Sequence, residues 1–114
     1  TLAPHATVWY VHIMKLELNL ADEFGTGLAD GALAAEFRQG RMDPYAGICP
    51  EIVLNFTGVR NANSSFVNAL VAGFVEQHGP QVLDRLVFRG CNPVVRVLVE
   101  SAISLGLEKH EMMA

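Results

Sequence analysis

The sequence predicts an α/β fold, a small, mostly parallel or mixed sheet joined by crossover helices. Three observations predict it. Extended and helical patterns alternate three times along the chain, the order expected when helices connect neighbouring strands. Two short runs, Ile52-Val53-Leu54-Asn55-Phe56 and Leu86-Val87-Phe88, are nearly continuous in apolar character, as in strands buried within a sheet. Between them lies a long apolar segment with helical spacing, stopped by Gly79-Pro80.

With 114 residues, the chain is long enough for one core and is read as a single domain over 1–114. Apolar residues make up 51% and charged residues 18%, which excludes disorder. The most apolar stretch, Val94 to Leu107, is broken by Arg96, Glu100, Ser101 and Ser104, so it reads as a buried helix and not a membrane span. The sequence opens on Thr1, read as a processed or trimmed N-terminus, and no basic–apolar–small signal pattern precedes it; a cytoplasmic setting is the default expectation. A net charge of −4 with scattered Lys and Arg argues against nucleic acid, whose binders neutralise phosphates with clustered basic groups; only Arg38 and Arg41 form a small local patch.

Residues Thr7 to Leu20 alternate as a strand, with Val8, Tyr10, His12, Met14, Leu16, Leu18 and Leu20 on one face. The opposite face turns polar from Lys15 onward, as in a strand buried on both sides at its start and solvated later, or in a hairpin with a tight bend. Residues 22–31 form a glycine-punctuated loop containing Gly25-Thr26-Gly27 and ending in Asp30-Gly31. Asp30 is placed to cap a short helix from Gly31 to Arg38. Residues 40–50, with Gly40, Pro44, Gly47 and Pro50, read as a surface connection.

The second helix is expected from Ser64 to about His78, with Phe66, Ala69, Leu70, Gly73, Phe74 and Gln77 as its core face. A neighbouring stripe, Val67, Val71 and Val75, is read as widening the buried surface. Asn92 caps the last helix, and Pro93 occupies its first turn, where a missing N–H costs nothing. Its inner face is expected to be Val94, Val97, Leu98, Ser101, Ala102 and Leu105, with Arg96 and Glu100 paired outside. Residues 108–114 are expected to be a frayed tail. Cys49 and Cys91 would lie at opposite ends of adjacent parallel strands, too far apart for a disulfide.

The candidate functional residues cluster at Asn61-Ala62-Asn63-Ser64-Ser65-Phe66, between a buried strand and the second helix. Two hydroxyls at a helix N-terminus sit where unpaired N–H groups and the helix dipole favour negative charge. The structural alternative is that Asn63 or Ser64 caps the helix, which contributes about 1 kcal/mol. Gly25-Thr26-Gly27 with Gly31 mimics a phosphate cradle, but the spacing is one residue too long for a dinucleotide fingerprint and no Gly-Lys-Ser/Thr follows. Among His5, His12, His78 and His110, no pair has metal-ligand spacing, so no metal or other cofactor is expected. His78 suits the negative end of its own helix. Cys91 precedes a helix start, yet no histidine is placed beside it as a base, and a small buried thiol is the simpler reading.

Taken together, three pieces resemble the STAS-like domain, a bacterial relative of the sulphate-transporter and anti-sigma-factor-antagonist fold. They are the loop ending in Asp30-Gly31 with Phe37-Arg38 after a short helix, the strand of Ile52 to Val59 with Gly58, and Ser64-Ser65-Phe66 opening a helix with Phe74 and Gly79. They cover roughly Asp30 to Leu107. The chain departs from the pattern where Gly25-Thr26-Gly27 replaces a Gly-Arg pair and where the following helix reads as a residue short; in addition, Asn63 stands where an acidic residue often precedes the serines.

The resemblance implies a non-enzymatic regulatory domain that binds another protein. In anti-sigma factor antagonists a serine at the start of the equivalent helix is phosphorylated by a histidine-kinase-like ATPase, which blocks the partner interface. Ser64 and Ser65 match that position; Asn63 and Phe66 adjoin it, and Gly25, Thr26, Gly27, Asp30, Gly31 and Arg38 are the expected loop contacts. The acidic charge motivates a second reading, a phage or mobile-element inhibitor or accessory protein (anti-CRISPR-like) occupying a basic site on a nuclease. A small-molecule-binding module using the glycine loop is a third. A homodimer is compatible with each.

Overall fold

The computed structural model describes residues 15–113; the expected start of the first strand from Thr7, which includes His12, lies outside them, as does His5. Strands β1 (Lys15–Asn19), β3 (Glu51–Asn55) and β5 (Leu86–Arg89) form a parallel sheet in the order β1-β3-β5. A second, two-stranded parallel ribbon pairs β2 (Gly27–Leu28) with β4 (Asn61–Ala62). The helices are α1 (Leu20–Phe24), α2 (Gly31–Arg41), α3 (residues 64–78) and α4 (Pro93–Met113). Parallel pairing requires a crossover between successive strands of the sheet; α2 lies in the connection from β1 to β3, α3 in that from β3 to β5, and α4 follows the last strand. The α/β architecture is therefore the expected one.

Register fixes which face is apolar. Leu16, Ile52 and Leu86 align across the sheet, as do Leu18, Leu54 and Phe88, and all six join the core with Phe56, Phe66, Phe74 and the valines of α3. The opposite face is polar at its margins, where Glu17 approaches Lys15 and Arg89 at 3.9 Å and accepts from Asn55 Nδ2 at 3.2 Å. Central β3 keeps its continuous apolar run buried at Ile52, Val53 and Leu54.

Several local expectations need correction. The glycine loop is not open throughout 22–31. It begins inside α1, whose Leu20 is buried and whose Phe24 packs edge-on to Phe37 and Phe66. Gly25 ends that helix at φ +86°, with its N–H on the Ala21 carbonyl. Helix α2 runs three residues past Arg38, through Gly40, because Phe37 and Arg41 stack one turn apart (guanidinium 5.2 Å from the ring centroid). The connection over 40–50 contains a 3₁₀ turn, Asp43–Tyr45, and buries Met42, Ala46 and Cys49.

Helix α3 is not uniformly α-wound. Ser64–Val67 and Gly73–His78 flank a π-wound stretch, Asn68–Ala72. In an α-helix four residues slightly overshoot a turn, whereas the wider i→i+5 π turn undershoots it. The mixture keeps two i+4 stripes aligned, so Phe66, Leu70 and Phe74 are buried and so are Val67, Val71 and Val75. Ala69 and Gly73, expected in the core face, are half-buried, and Gln77 is exposed.

The inner face of α4 is shifted from the expected one. Val95, Val99, Ala102 and Gly106 are buried, while Val94 and Val97 are 63% and 62% exposed. Valine and leucine occur on two sides of this helix, so apolar spacing does not choose between them. Gly106 does: a Cβ there would come within 2.7 Å of the Ala72 carbonyl oxygen and 2.8 Å of Val75 Cβ, so only glycine permits this helix approach. Nor is there a frayed tail, since α4 continues to Met113. His110 Nδ1 donates to the Glu76 carbonyl at 2.8 Å and ties the last turns to α3.

Candidate functional site at the start of the third helix

Asn63 organises the site. Its Oδ1 accepts the Phe66 N–H at 2.9 Å, capping α3, and its Nδ2 donates to the Ala29 carbonyl at 3.0 Å. One side chain thus satisfies a helix end and fastens it to the loop before α2. Asp30 does the corresponding work for α2, accepting from the N–H groups of Ala32 (2.9 Å) and Leu33 (3.2 Å). The β2–β4 ribbon holds the two caps together: Thr26 O accepts from Arg60 and Asn61, and Leu28 O accepts from the Asn63 N–H.

A third cap converges on the same region. Asn92 Oδ1 accepts from Val95 N–H at 2.8 Å to start α4, and its Nδ2 reaches the carbonyls of Val59 and Arg60 at 3.3 and 3.1 Å. The N-termini of α2, α3 and α4 are therefore all anchored around the connections that leave β3 and β4. Such an arrangement gathers positive dipole ends on one edge of the molecule.

Ser64 and Ser65 stand on this edge with exposed side chains. Neither supplies the cap of α3, because Asn63 does. Ser65 is packed over Gly31, where an added Cβ would sit 2.5 Å from Ser65 Oγ and 3.0 Å from its carbonyl oxygen. Gly31 is thus a close-approach residue that lets the starts of α2 and α3 meet. Phe66 turns inward, 1% exposed, in edge-to-face contact with Phe24 (centroids 5.0 Å apart). It anchors the tip and presents no contact surface, which corrects its expected place in a docking face.

The loop residues divide similarly. Gly25, Thr26, Gly27 and Asp30 are exposed beside the tip, whereas Gly31 is half-buried beneath Ser65. Arg38 does not join them. It lies two turns further along α2, where its Nε is 3.5 Å from Asp43 Oδ2 and its guanidinium crosses Gly73 of α3. His78 Nε2 donates to the other Asp43 oxygen at 2.9 Å and its ring packs at a tilt against Phe74, centroids 4.8 Å apart. Arg38, Asp43 and His78 clasp the far end of α3. Sequence reasoning missed this clasp because its three members come from separate elements with no spacing rule; His78 was assigned only a dipole role.

The other candidate chemistry resolves into structure. Burial pushes the Cys91 thiol above its ordinary range, with Arg96 opposing that shift, so the group stays protonated near neutral pH. It lines a groove of about 490 Å³ between β5 and α4 with Phe88, Arg96 and Ile103. Among the described residues, no three of His, Cys, Asp and Glu are grouped to hold a metal, and no helix is long and apolar enough to cross a membrane.

The sequence model of a family described as a STAS-like domain of unknown function matches residues 34–96, more than half of the chain. The chain belongs to the STAS-like family. The matched segment runs from the middle of α2 to the first turn of α4 and so contains the Asn63–Ser65 tip. Neither a curated protein nor a solved structure matches. A STAS-like domain of this architecture fits a regulatory interaction role.

Proposed function

We propose that this STAS-like domain is a non-enzymatic regulatory module that binds another protein through the tip of α3 and the adjoining loop, and that phosphorylation at the tip releases the partner. One observation carries the reading. Ser64 and Ser65 are exposed at a helix start whose cap is already made by Asn63, so the fold does not require either hydroxyl. Ser65 is wedged against Gly31, which leaves Ser64 as the more accessible acceptor. A phosphoryl group there adds nearly two negative charges. The dipole ends gathered at the tip tolerate that charge on their own chain, whereas a partner packed closely on the tip meets an uncompensated dianion.

The implied enzyme is a histidine-kinase-like ATPase, acting in a cytoplasmic setting. Incubation of the chain with such a kinase and ATP, read by intact mass and fragment mapping, should add one phosphate at Ser64. Ser64→Ala should abolish the gain and Ser65→Ala should retain it. A partner captured by the unmodified chain should dissociate from the phosphorylated one. Equal partner affinity for both forms would refute the switch.

A further inference from the structure

Strand β5 ends its sheet, and its outer edge is open. The N–H groups of Ile52 and Phe56 take the carbonyls of Arg85 and Arg89, so alternate residues along β5 turn their backbone groups to β3. Those of Leu86 and Phe88 point the other way, and among the described residues they have no hydrogen-bond partner. The strand holds no proline or lysine to blunt such an edge. Beside it runs the groove of about 490 Å³ under α4, where Phe88, Cys91, Val99 and Ile103 give an apolar lining. Charge is uneven here: from Leu86 to Val99 the chain carries Arg89 and Arg96 and no carboxylate, although its net charge is −4. Each arginine has one carboxylate neighbour, Glu17 for Arg89 and Glu100 for Arg96, both at 3.9 Å on solvated side chains. Ion pairs so exposed contribute little and leave the guanidinium groups able to re-pair.

We propose that an extended acidic peptide of a partner protein adds as a further strand along β5, with one bulky apolar side chain seated in the groove under α4. Each feature selects part of this occupant. The free N–H and C=O groups of Leu86 and Phe88 take an extended backbone, the mode in which a peptide joins a sheet edge. Side chains of an added strand alternate between faces, so the residue level with Phe88 points to the α4 side and into the groove. Arg89 and Arg96 favour carboxylates at the flanking positions. A second copy of this chain fits less well. The antiparallel register that engages both Leu86 and Phe88 centres on Val87 and sets Arg85 of each copy directly opposite Arg89 of the other, a like-charge pair on either side. The edge is separate from the serine tip, and the proposal does not rest on phosphorylation there.

Fluorescence anisotropy of the full chain with a labelled octapeptide alternating leucine and glutamate tests it. Saturable binding is expected, about tenfold or more tighter than for the same peptide with lysine in place of glutamate. Arg96→Glu should weaken the acidic peptide by about tenfold, with unchanged circular dichroism because that side chain is exposed. Methyl groups on the peptide nitrogens that face β5 should abolish binding, whereas methyl groups on the alternate nitrogens should spare it. Amide hydrogen exchange at Phe88 should slow when the peptide is bound, and exchange at Val87, which faces β3, should not change. Absence of saturable binding, equal affinity for the acidic and basic peptides, indifference to which nitrogens are methylated, or unchanged exchange at Phe88 would each overturn the proposal. So would a chain that sediments as a dimer closed through β5, which would assign the edge to a second copy. None of these outcomes bears on phosphate uptake at Ser64.

Discussion

The two ends of α3 are built on opposite plans. At its start, backbone groups are satisfied by Asn63, the apolar ring of Phe66 is sealed beneath, and two hydroxyls are left to solvent. At its finish, Arg38, Asp43 and His78 close over Gly73 and Phe74, with the Arg38 and Asp43 side chains only 13% and 12% exposed. The first end spends its polar groups on preparing an accessible tip; the second spends its charges on locking neighbouring elements. The difference shows how a helix can present an exposed tip without becoming loose. The fixed end and the buried ring hold the position of the open one.

Substitutions can break that contrast, beginning with the ring under the tip. Phe66→Ala should cost about 3–5 kcal/mol, the usual range for a fully buried aromatic, because it empties the contact with Phe24. Chemical denaturation measures this directly, and a loss below about 1 kcal/mol would mean the tip does not rest on that ring. At the closed end, Asp43→Ala strands the Arg38 guanidinium, whose buried Nε has the Asp43 carboxylate at 3.5 Å as its ion-pair partner. A destabilisation of about 2–3 kcal/mol is expected, with partner binding at the tip retained in the folded fraction. If binding falls as steeply as stability, the ends are not separable.

Much of this contrast was legible in the sequence, and the illegible part has physical causes. Asp30, Asn63 and Asn92 stand out because a cap is a local interaction, with the acceptor two or three residues from its donors. Ser64 and Ser65 follow from the same locality. The parallel strands are readable because Ile52–Phe56 and Leu86–Phe88 are apolar runs between helical patterns. Helix rotation is not readable in the same way. Whether α4 buries Val94 or Val95 depends on where Gly106 meets α3, a contact more than thirty residues distant in sequence. The π turn in α3 likewise leaves no compositional mark, so Ala69 and Gln77 looked like core. Arg38 shows the same limit: an arginine near a glycine loop in sequence can serve a different end of the helix in space.

Asn63→Ala separates capping from contact. It removes the acceptor for Phe66 N–H and the donor to Ala29 O, so the loss should be about 1–2 kcal/mol, at or above the usual cap value. Asn63→Asp keeps the acceptor and loses only the tie to Ala29, and an intermediate stability is expected from the same denaturation experiment. An alanine variant as stable as the parent would show that the cap is made elsewhere.

The smallest effect is the most telling. Ser64→Ala with Ser65→Ala should change stability by no more than about 0.5 kcal/mol, because both side chains are exposed and neither closes the helix end. Alanine even has the better helix propensity, which offsets any lost solvation of the hydroxyls. The same double variant should lose phosphate uptake entirely. A large stability loss would instead assign the hydroxyls to the fold, beginning with the contact of Ser65 on Gly31, and the open end of α3 would then be as structural as the closed one. Near-neutral stability with lost modification is the combination that only a spare, solvent-facing serine can give.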